Sequence, residues 1–275
     1  MITMTPEIIA KLQEITGVSF VFTDDETRNS YGHDETEDFV FPPHVVVKPA
    51  SAQEISAIVK IANDYKIPVV PIGGRTGLSG GALSIHGGIA ISTERLNRIL
   101  EIDERNLQVI TEPAVITQVL QDTVLEKGLF YPVDPSSRGS CFIGGNVAEN
   151  AGGARAVKYG VTKDYVLNLE VVLPTGEIIW TGANTLKNST GYNLTQLMVG
   201  SEGTLGIVTK IVLKLLPKNN HNVLMLVPFY KAGQACEAVS AIFRAGIVPS
   251  ALEFMERDAI DWTLKFIDGL NVAVK

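Results

Sequence analysis

At 275 residues the chain is long for one domain and comfortable for two, and 45% hydrophobic with 19% charged residues is an ordinary globular composition with a sizeable core. A net charge of −7, from 23 basic and 30 acidic residues, removes the electrostatic basis for nucleic-acid binding, and two distant cysteines, Cys141 and Cys236, without a CxxC exclude a disulfide framework and a structural zinc site. No apolar run approaches the ~18 residues that a membrane span requires, and the opening MITMTPEIIAK lacks the basic-then-apolar form of a signal peptide, so a cytoplasmic protein without a transmembrane segment is expected.

Thr5-Pro6, an apolar-periodic run to Ile15 and then Gly17 predict a short helix with an N-cap, a proline at its first position and a glycine stop. Asp24 to Asp38 is strongly acidic, is broken by Gly32, and reads as an exposed, solvated loop. Val45 to Val47 reads as a buried strand. Ser51 with Glu54 predicts a capping box opening a helix whose apolar face is Ile55, Ile58, Val59 and Ala62. Ile67 to Ile72 is the next strand, so a strand, helix, strand unit delivers the chain into Gly73 to Gly81.

That segment, GGRTGLSGG, has five glycines in nine residues, yet Ala82 to Ile91 after it reads as loop and strand. It is therefore not a helix-terminus phosphate site. No two glycines of the chain stand at i and i+2, which removes the G-x-G-x-x-G dinucleotide fingerprint, and no Gly-Lys pair exists, which removes the P-loop. What remains is a run of backbone N–H groups able to form an anion-binding nest, with Arg75, Thr76 and Ser79 beside it, or else a plain glycine-rich connection.

Ile99 to Asp103 and Leu107 to Thr111 read as two strands, and Ile116 to Lys127 as an amphipathic helix closed by Gly128. Asp134 to Gly153, DPSSRGSCFIGGNVAENAGG, then gathers backbone-exposing glycine pairs and neutral polar side chains. It reads as a cofactor-lining wall, with Gly144 and, in the earlier loop, Gly80 as points of close backbone approach. Cys141 within it reads as a small buried thiol. Val166 to Leu173 and Glu177 to Thr181 make a hairpin around Pro174-Thr175-Gly176. Leu194 to Val199 is a short helix, Gly200 to Gly206 (GSEGTLG) a third glycine cluster, and Ile207 to Leu216 a long alternating strand. After Pro217 the composition shifts; Val223 to Val227 and Ile247 to Ala251 read as strands, and Ala232 to Ala245 and Glu256 to Ile267 as helices.

Three separated glycine clusters in one α+β region are explained together by one long ligand, and a dinucleotide suits that demand. The residues that carry a resemblance are PIGGRTGLSGGAL (71–83), the DPSS, Cys141 and IGGNVAENAGG parts of 134–153, Tyr159-Gly160, TGYNL (190–194) and GSEGTLGIVT (200–209), with Tyr31 and Asp34 as a Tyr-x-x-Asp near the start. They resemble the FAD-linked oxidases of the glycolate oxidase and D-lactate dehydrogenase group over residues 31–218, and more weakly over 221–270. The resemblance implies an α+β fold: a two-subdomain FAD-binding domain of the vanillyl-alcohol-oxidase type, followed by the start of an α+β cap, or substrate, domain. Its divisions are 1–40, an N-terminal helix and loop; 41–218, the FAD-binding domain; and 219–275, the start of the cap.

In the implied site the backbone of Pro71, Ile72, Gly73, Gly74, Arg75, Thr76, Gly77, Leu78, Ser79, Gly80 and Gly81 holds the pyrophosphate. Asp134, Pro135, Ser136, Ser137, Cys141, Ile143, Gly144, Gly145, Asn146, Ala148, Asn150, Gly152 and Gly153 line the flavin and ribityl chain. Glu202, Gly206, Ile207 and Val208 close over the flavin or adenine side. Members with covalent flavin carry histidine in a Gly-Gly-His register where this chain has Arg75, which implies noncovalent FAD. The implied reaction takes hydride from the alpha carbon of a small 2-hydroxy acid to FAD and passes electrons to a protein or quinone acceptor, which would make the protein cytoplasmic or peripheral to a membrane through its acceptor complex. The family's paired histidines and divalent metal come from a C-terminal half that these 275 residues do not contain; His33, His44, His86 and His221 are scattered, and no catalytic or metal-binding residue is assigned. Two further readings are an FAD-binding fragment without a complete catalytic site and, more weakly, a sugar-nucleotide reductase on the same fold. The sequence leaves oligomerisation open.

Overall fold

The computed structural model describes residues 4–267 of the chain. The expected first helix is α1 (Pro6–Thr16), N-capped by the Thr5 hydroxyl and closed by Gly17 at φ +89°. β1 (Val21–Phe22) and α2 (Asp25–Ser30) follow, then β2 (Val45–Val47), α3 (Ala52–Asp64), β3 (Val69–Ile72) and β4 (Ile89–Ser92). These strands form one sheet in the order β1-β2-β4-β3, with β1 antiparallel to β2 and with β2 and β3 flanking β4 in parallel. Parallel neighbours need a crossover, and α3 supplies it. Ser51 Oγ accepts from the Glu54 amide at 3.1 Å, while the Glu54 carboxylate reaches past Ser51 to the Ala50 amide at 2.8 Å. Ile55, Ile58, Val59 and Ala62 then pack with Ile8 and Leu12 of α1 and with Val45, Val47, Ile89 and Ile91 of the sheet.

The acidic segment is exposed at Asp24, Asp25, Glu26, Glu35, Glu37 and Asp38, as expected, but it is not all loop. Asp24 caps α2 by accepting from the Thr27 amide at 2.8 Å, and Asp25 and Glu26 stand in the first turn, where carboxylates complement the helix dipole. Tyr31 and Asp34 after it are buried. Acidic composition here marks a helix start and an exposed stretch that buries only Tyr31, Gly32 and Asp34.

The second layer begins with β5 (Ile99–Asp103), β6 (Gln108–Thr111), α4 (Thr117–Glu126) and β7 (Leu129–Phe130). Next come α5 (Ile143–Glu149), α6 (Ala156–Tyr159), β8 (Val166–Val172), β9 (Ile178–Trp180), α7 (Leu194–Met198), β10 (Ile207–Lys214) and β11 (Leu216–Pro217). An antiparallel sheet runs β5-β6-β10-β8-β9, and β7 pairs separately with β11. The strand expected over 207–216 thus ends at Lys214, because Leu216 and Pro217 turn away to pair with Phe130 and Leu129. Leu120 and Val124 of α4 and Ile143 and Val147 of α5 pack on Val109, Leu169, Val171, Ile211 and Leu213 of the sheet. Val172 and Ile207 belong instead to the core of the first sheet, so the two layers touch there.

Beyond Pro217 lie α8 (Ala232–Arg244) and α9 (Arg257–Thr263), near the expected helices. The strands expected at 223–227 and 247–251 do not form. Leu224 is 98% exposed, and these apolar stretches meet no sheet edge among the described residues. A lone strand leaves its N–H and C=O groups unpaired, so β-type composition without a partner stays extended chain. Residues 1–3 and 268–275, the outer ends of the first and last expected segments, lie outside the described residues.

The crossover helix is the place to test the first core. Ile58 is fully buried between α1 and the sheet. Ile58→Ala is expected to lower unfolding stability by about 2–5 kcal/mol in urea denaturation, whereas exposed Lys60 replaced by Ala should change it by about 0.5 kcal/mol or less.

Candidate functional site

The stretch 134–153 is not a plain loop; its middle is α5, which begins after Phe142 and ends at Asn150 in the left-handed conformation, φ +52°. Two glycines in the first turn hide this helix from a propensity reading. Tertiary contacts explain them. The Gly144 amide donates to the Pro113 carbonyl at 2.7 Å, and a Cβ on Gly144 would stand 2.5 Å from Pro113 Cβ. Gly145 points the other way, with nothing within 4 Å of its would-be Cβ. Below them, Asn146 Nδ2 donates to Thr117 Oγ1 at 2.6 Å, and that oxygen lies 3.2 Å from buried Cys141 Sγ.

The three glycine clusters meet around α5 at a cavity of about 340 Å³. The loop after β3 passes α5 closely: a Cβ on Gly74 would come within 3.0 Å of the Ser140 carbonyl, and one on Gly73 within 3.8 Å of Gly145. The third cluster hangs on the end of the same helix, where the amides of Gly200 and Glu202 donate to the carbonyls of Val147 and Ala148 at 2.9 and 3.0 Å. A helix end leaves such carbonyls short of partners; that of Val147 also accepts from the Asn150 amide at 3.3 Å.

Five successive amides, Arg75 to Ser79, have no acceptor among the described residues. The loop is held from behind. The Glu35 amide donates to the Gly77 carbonyl at 3.1 Å, the Gly80 amide donates to Thr36 Oγ1 at 2.9 Å, and Arg75 Nη1 donates to the Ser30 carbonyl. The Arg75 guanidinium also lies 4.5 Å from the Tyr31 ring centroid. Burial, reinforced by Glu94, pushes the Tyr31 phenol upward, and the phenol donates to Glu94, which pairs with Lys48 at 2.8 Å. Asp34, Glu149 and Glu202 bring carboxylates to the cavity wall; burial first, then Glu202 and Asp34, raises the carboxyl of Glu149 above its ordinary value.

Of the residues singled out in the sequence, Pro71 to Ser79, Gly81, Pro135, Ser137, Cys141, Gly144, Gly145, Asn146, Ala148, Glu202, Gly206, Ile207 and Val208 line the cavity. Gly80, Asp134, Ser136, Ile143, Asn150, Gly152 and Gly153 stand behind this wall. Asp134 pairs with Arg155 at 3.1 Å and Arg138 at 3.4 Å, Ile143 is core, and Asn150 caps α5. A Cβ on Gly153 would lie 1.9 Å from the Asp134 carbonyl, so this glycine lets the two ends of the stretch close on each other. The wall also includes Asp34, Ala82, Phe142, Glu149, Ala151, Ser201 and Gly203, all inside quoted motifs, and Thr93, Pro113 and Met198, for which no local signal exists. Among the described residues no group of three or more His, Cys, Asp or Glu is placed to hold a metal ion, and no helix is long and apolar enough to cross a membrane.

The profile of the family described as "FAD binding domain" matches residues 43–182, and that of "FAD linked oxidases, C-terminal domain" matches residues 218–272. The chain is 44% identical over 265 residues to a D-lactate dehydrogenase of Anaerostipes hadrus, a match covering 96% of this chain and 55% of the relative. It is 42% identical over 257 residues to glycolate oxidase subunit GlcD of Bacillus subtilis, covering 94% and 55%. The chain thus spans about half the length of the curated relatives it matches. A solved alkyldihydroxyacetonephosphate synthase superposes with a TM-score of 0.76 at 24% identity, covering 90% of this chain and 47% of that one, and shares the fold.

The two glycines that open α5 separate packing from access. Gly144→Val is expected to lower stability by about 1–3 kcal/mol through overpacking against Pro113. Gly145→Val, which points into open space, should stay within about 1 kcal/mol of the wild type; urea midpoints of the two variants check the contrast.

Proposed function

Because the chain belongs to the FAD-binding domain family of the FAD-linked oxidases, we propose that it is the flavin-holding portion of a 2-hydroxy-acid dehydrogenase or oxidase of the glycolate or D-lactate type. The observation that carries this reading is the run of free amides from Arg75 to Ser79 beside a neutral polar wall. Five donors without acceptors, on a loop whose back is fastened elsewhere, suit a pyrophosphate. Ser137, Phe142, Gly145 and Asn146 offer hydrogen bonds and a flat approach for a ring system, and Thr117 fixes the Asn146 amide from beneath. On this reading residues 41–218 form the FAD domain and 219–275 begin the substrate domain.

FAD, when bound, supplies an acceptor for the hydride of an alcohol carbon. The residues of this chain bind it, orient it and keep its phosphates on backbone donors. Attachment is noncovalent: Arg75 stands at the loop position in question, and its guanidinium is engaged by Tyr31 and Ser30. Proton abstraction from the hydroxyl and capture of the substrate carboxylate fall to residues outside this cavity wall, which holds no histidine. Electrons then pass to a protein or quinone acceptor.

Purified protein is expected to be yellow, with an oxidised flavin spectrum, and to release all its flavin as free FAD on acid precipitation. Protein that is colourless and gains no flavin absorbance on reconstitution would overturn the cofactor assignment; flavin that stays with the pellet would overturn noncovalent binding. Gly145→Val should weaken FAD by at least about tenfold without loss of fold, a cost of about 1.4 kcal/mol. Adding D-lactate or glycolate to the 275-residue chain should leave its flavin oxidised, and rapid loss of the flavin absorbance would put the catalytic base inside this cavity.

A further inference from the structure

Behind the glycine loop a row of side chains ends on Arg75. Lys48 follows β2 and Glu94 follows β4, and because β2, β4 and β3 run parallel, both stand at the end of the sheet from which the loop leaves β3. Glu94 Oε2 pairs with Lys48 Nζ at 2.8 Å, and Glu94 Oε1 accepts from the Tyr31 phenol. Tyr31 is 5% exposed, with Lys48 Nζ 5.1 Å from its ring centroid and the Arg75 guanidinium 4.5 Å from it. Arg75 Nη1 also donates to the Ser30 carbonyl. None of Tyr31, Lys48 and Glu94 lines the cavity. The row therefore meets the cavity only through Arg75.

The backbone of Arg75 needs such support. It is the one residue of the loop with a side chain that stands in the left-handed region, at φ +57°, and a residue with a Cβ stays there only where other contacts hold it. Its amide is also the first of the five, Arg75 to Ser79, that have no acceptor among the described residues. Glu35 and Thr36 fasten the loop further on, at Gly77 and Gly80. The Arg75 side chain is the fastening at the start of the donor run. A planar guanidinium can lie against a ring and donate to a carbonyl at once, which an ammonium on a flexible stem cannot reproduce. Engaged in this way, it is turned to the protein and away from any anion that the amides receive.

We propose that Tyr31 is a positioning residue for the cofactor: by pinning the Arg75 side chain it holds the loop backbone in its left-handed turn, so that the amides of Arg75 to Ser79 are set for a pyrophosphate before one arrives. The inference rests on the reading that this cavity holds FAD. Tyr31 acts through Arg75 and touches no ligand, and Glu94 with Lys48 fixes the ring from the parallel strands.

The test is titration of the flavin-free 275-residue chain with FAD and riboflavin, followed by flavin fluorescence, and with ADP, followed by calorimetry. Tyr31→Leu and Arg75→Ala are each expected to weaken FAD and ADP by about tenfold and to leave riboflavin, which has no phosphate, unchanged. The double variant should lose about tenfold again and not about a hundredfold, because the two residues act as one unit. Tyr31→Phe, which keeps the ring against Arg75, should return FAD affinity to within about threefold of the wild type. An additive loss in the double variant, an equal loss for riboflavin, or a Tyr31→Leu variant that binds FAD as well as the wild type or more tightly would overturn the positioning role; the last result would mean that a released guanidinium serves the phosphates directly. Thermal unfolding of each variant is measured alongside. If Tyr31→Leu has lost its fold, Arg75→Lys takes its place: about tenfold weaker FAD is expected, and full affinity would show that charge alone suffices and overturn the proposal. Wild-type protein that takes up no FAD would fail the cofactor reading itself, which is distinct from a wild type that binds FAD and variants that bind it equally well.

Discussion

The cavity depends on one close approach, that of α5 to Pro113. With no side chain on Gly144, the helix start comes near enough for its amide to reach the Pro113 carbonyl, and its apolar face, Ile143 and Val147, settles on the antiparallel sheet. The other groups then fall into place around it. The opposite side of the helix start, at Gly145, is left bare toward the cavity, the Asn146 amide is held by Thr117, and the carbonyls at the helix end take up the amides of the 200–206 loop. A short helix of this kind has little stability of its own, since nucleation costs more than a few internal bonds return. Its partners in both layers make it.

The glycine loop after β3 poses the complementary problem. A loop that offers its amides to a ligand cannot spend them on the protein, so it must be fastened by other atoms. The N-terminal segment does this through Glu35 and Thr36 and through the Tyr31 and Arg75 stack. Arg75 itself sits at φ +57°, a strained backbone for a residue with a side chain, and such strain persists where surrounding contacts over-determine it. The same segment carries Asp34 into the cavity. The segment therefore serves the site twice, through Tyr31, the Glu35 amide and Thr36 as a clasp on the loop and through Asp34 as part of its wall.

Polarity along the cavity is set by where each element ends. The first sheet delivers free donors, the start of α5 a neutral surface, and the end of α5 with the 200–206 loop two carboxylates. That order allows an elongated ligand with one anionic centre to be read along its length without a charged side chain reaching its phosphates. Burial first, and then the neighbouring Glu202 and Asp34, hold the Glu149 carboxyl above its ordinary value.

Much of this was legible in the residues. Periodic apolar spacing with Thr5, Ser51 and Gly128 as punctuation marked α1, α3 and α4, and the turn at Pro174-Thr175-Gly176 marked the β8 and β9 hairpin. The three glycine clusters marked the cavity because the need for bare backbone leaves a local signature. Two kinds of feature were not legible. Gly144 and Gly145 lower helix propensity, so α5 exists only because Pro113 and the sheet receive it, and the apolar runs at 223–227 and 247–251 remain unpaired because strand formation needs a neighbour. Local elements were readable from the residues alone, since caps, turns and bare glycines act over a few residues. Only the tertiary structure decided that Asp34, Glu149 and Glu202 share one end of a cavity, and that Gly144 faces protein while Gly145 faces open space, because those facts depend on which distant backbones touch.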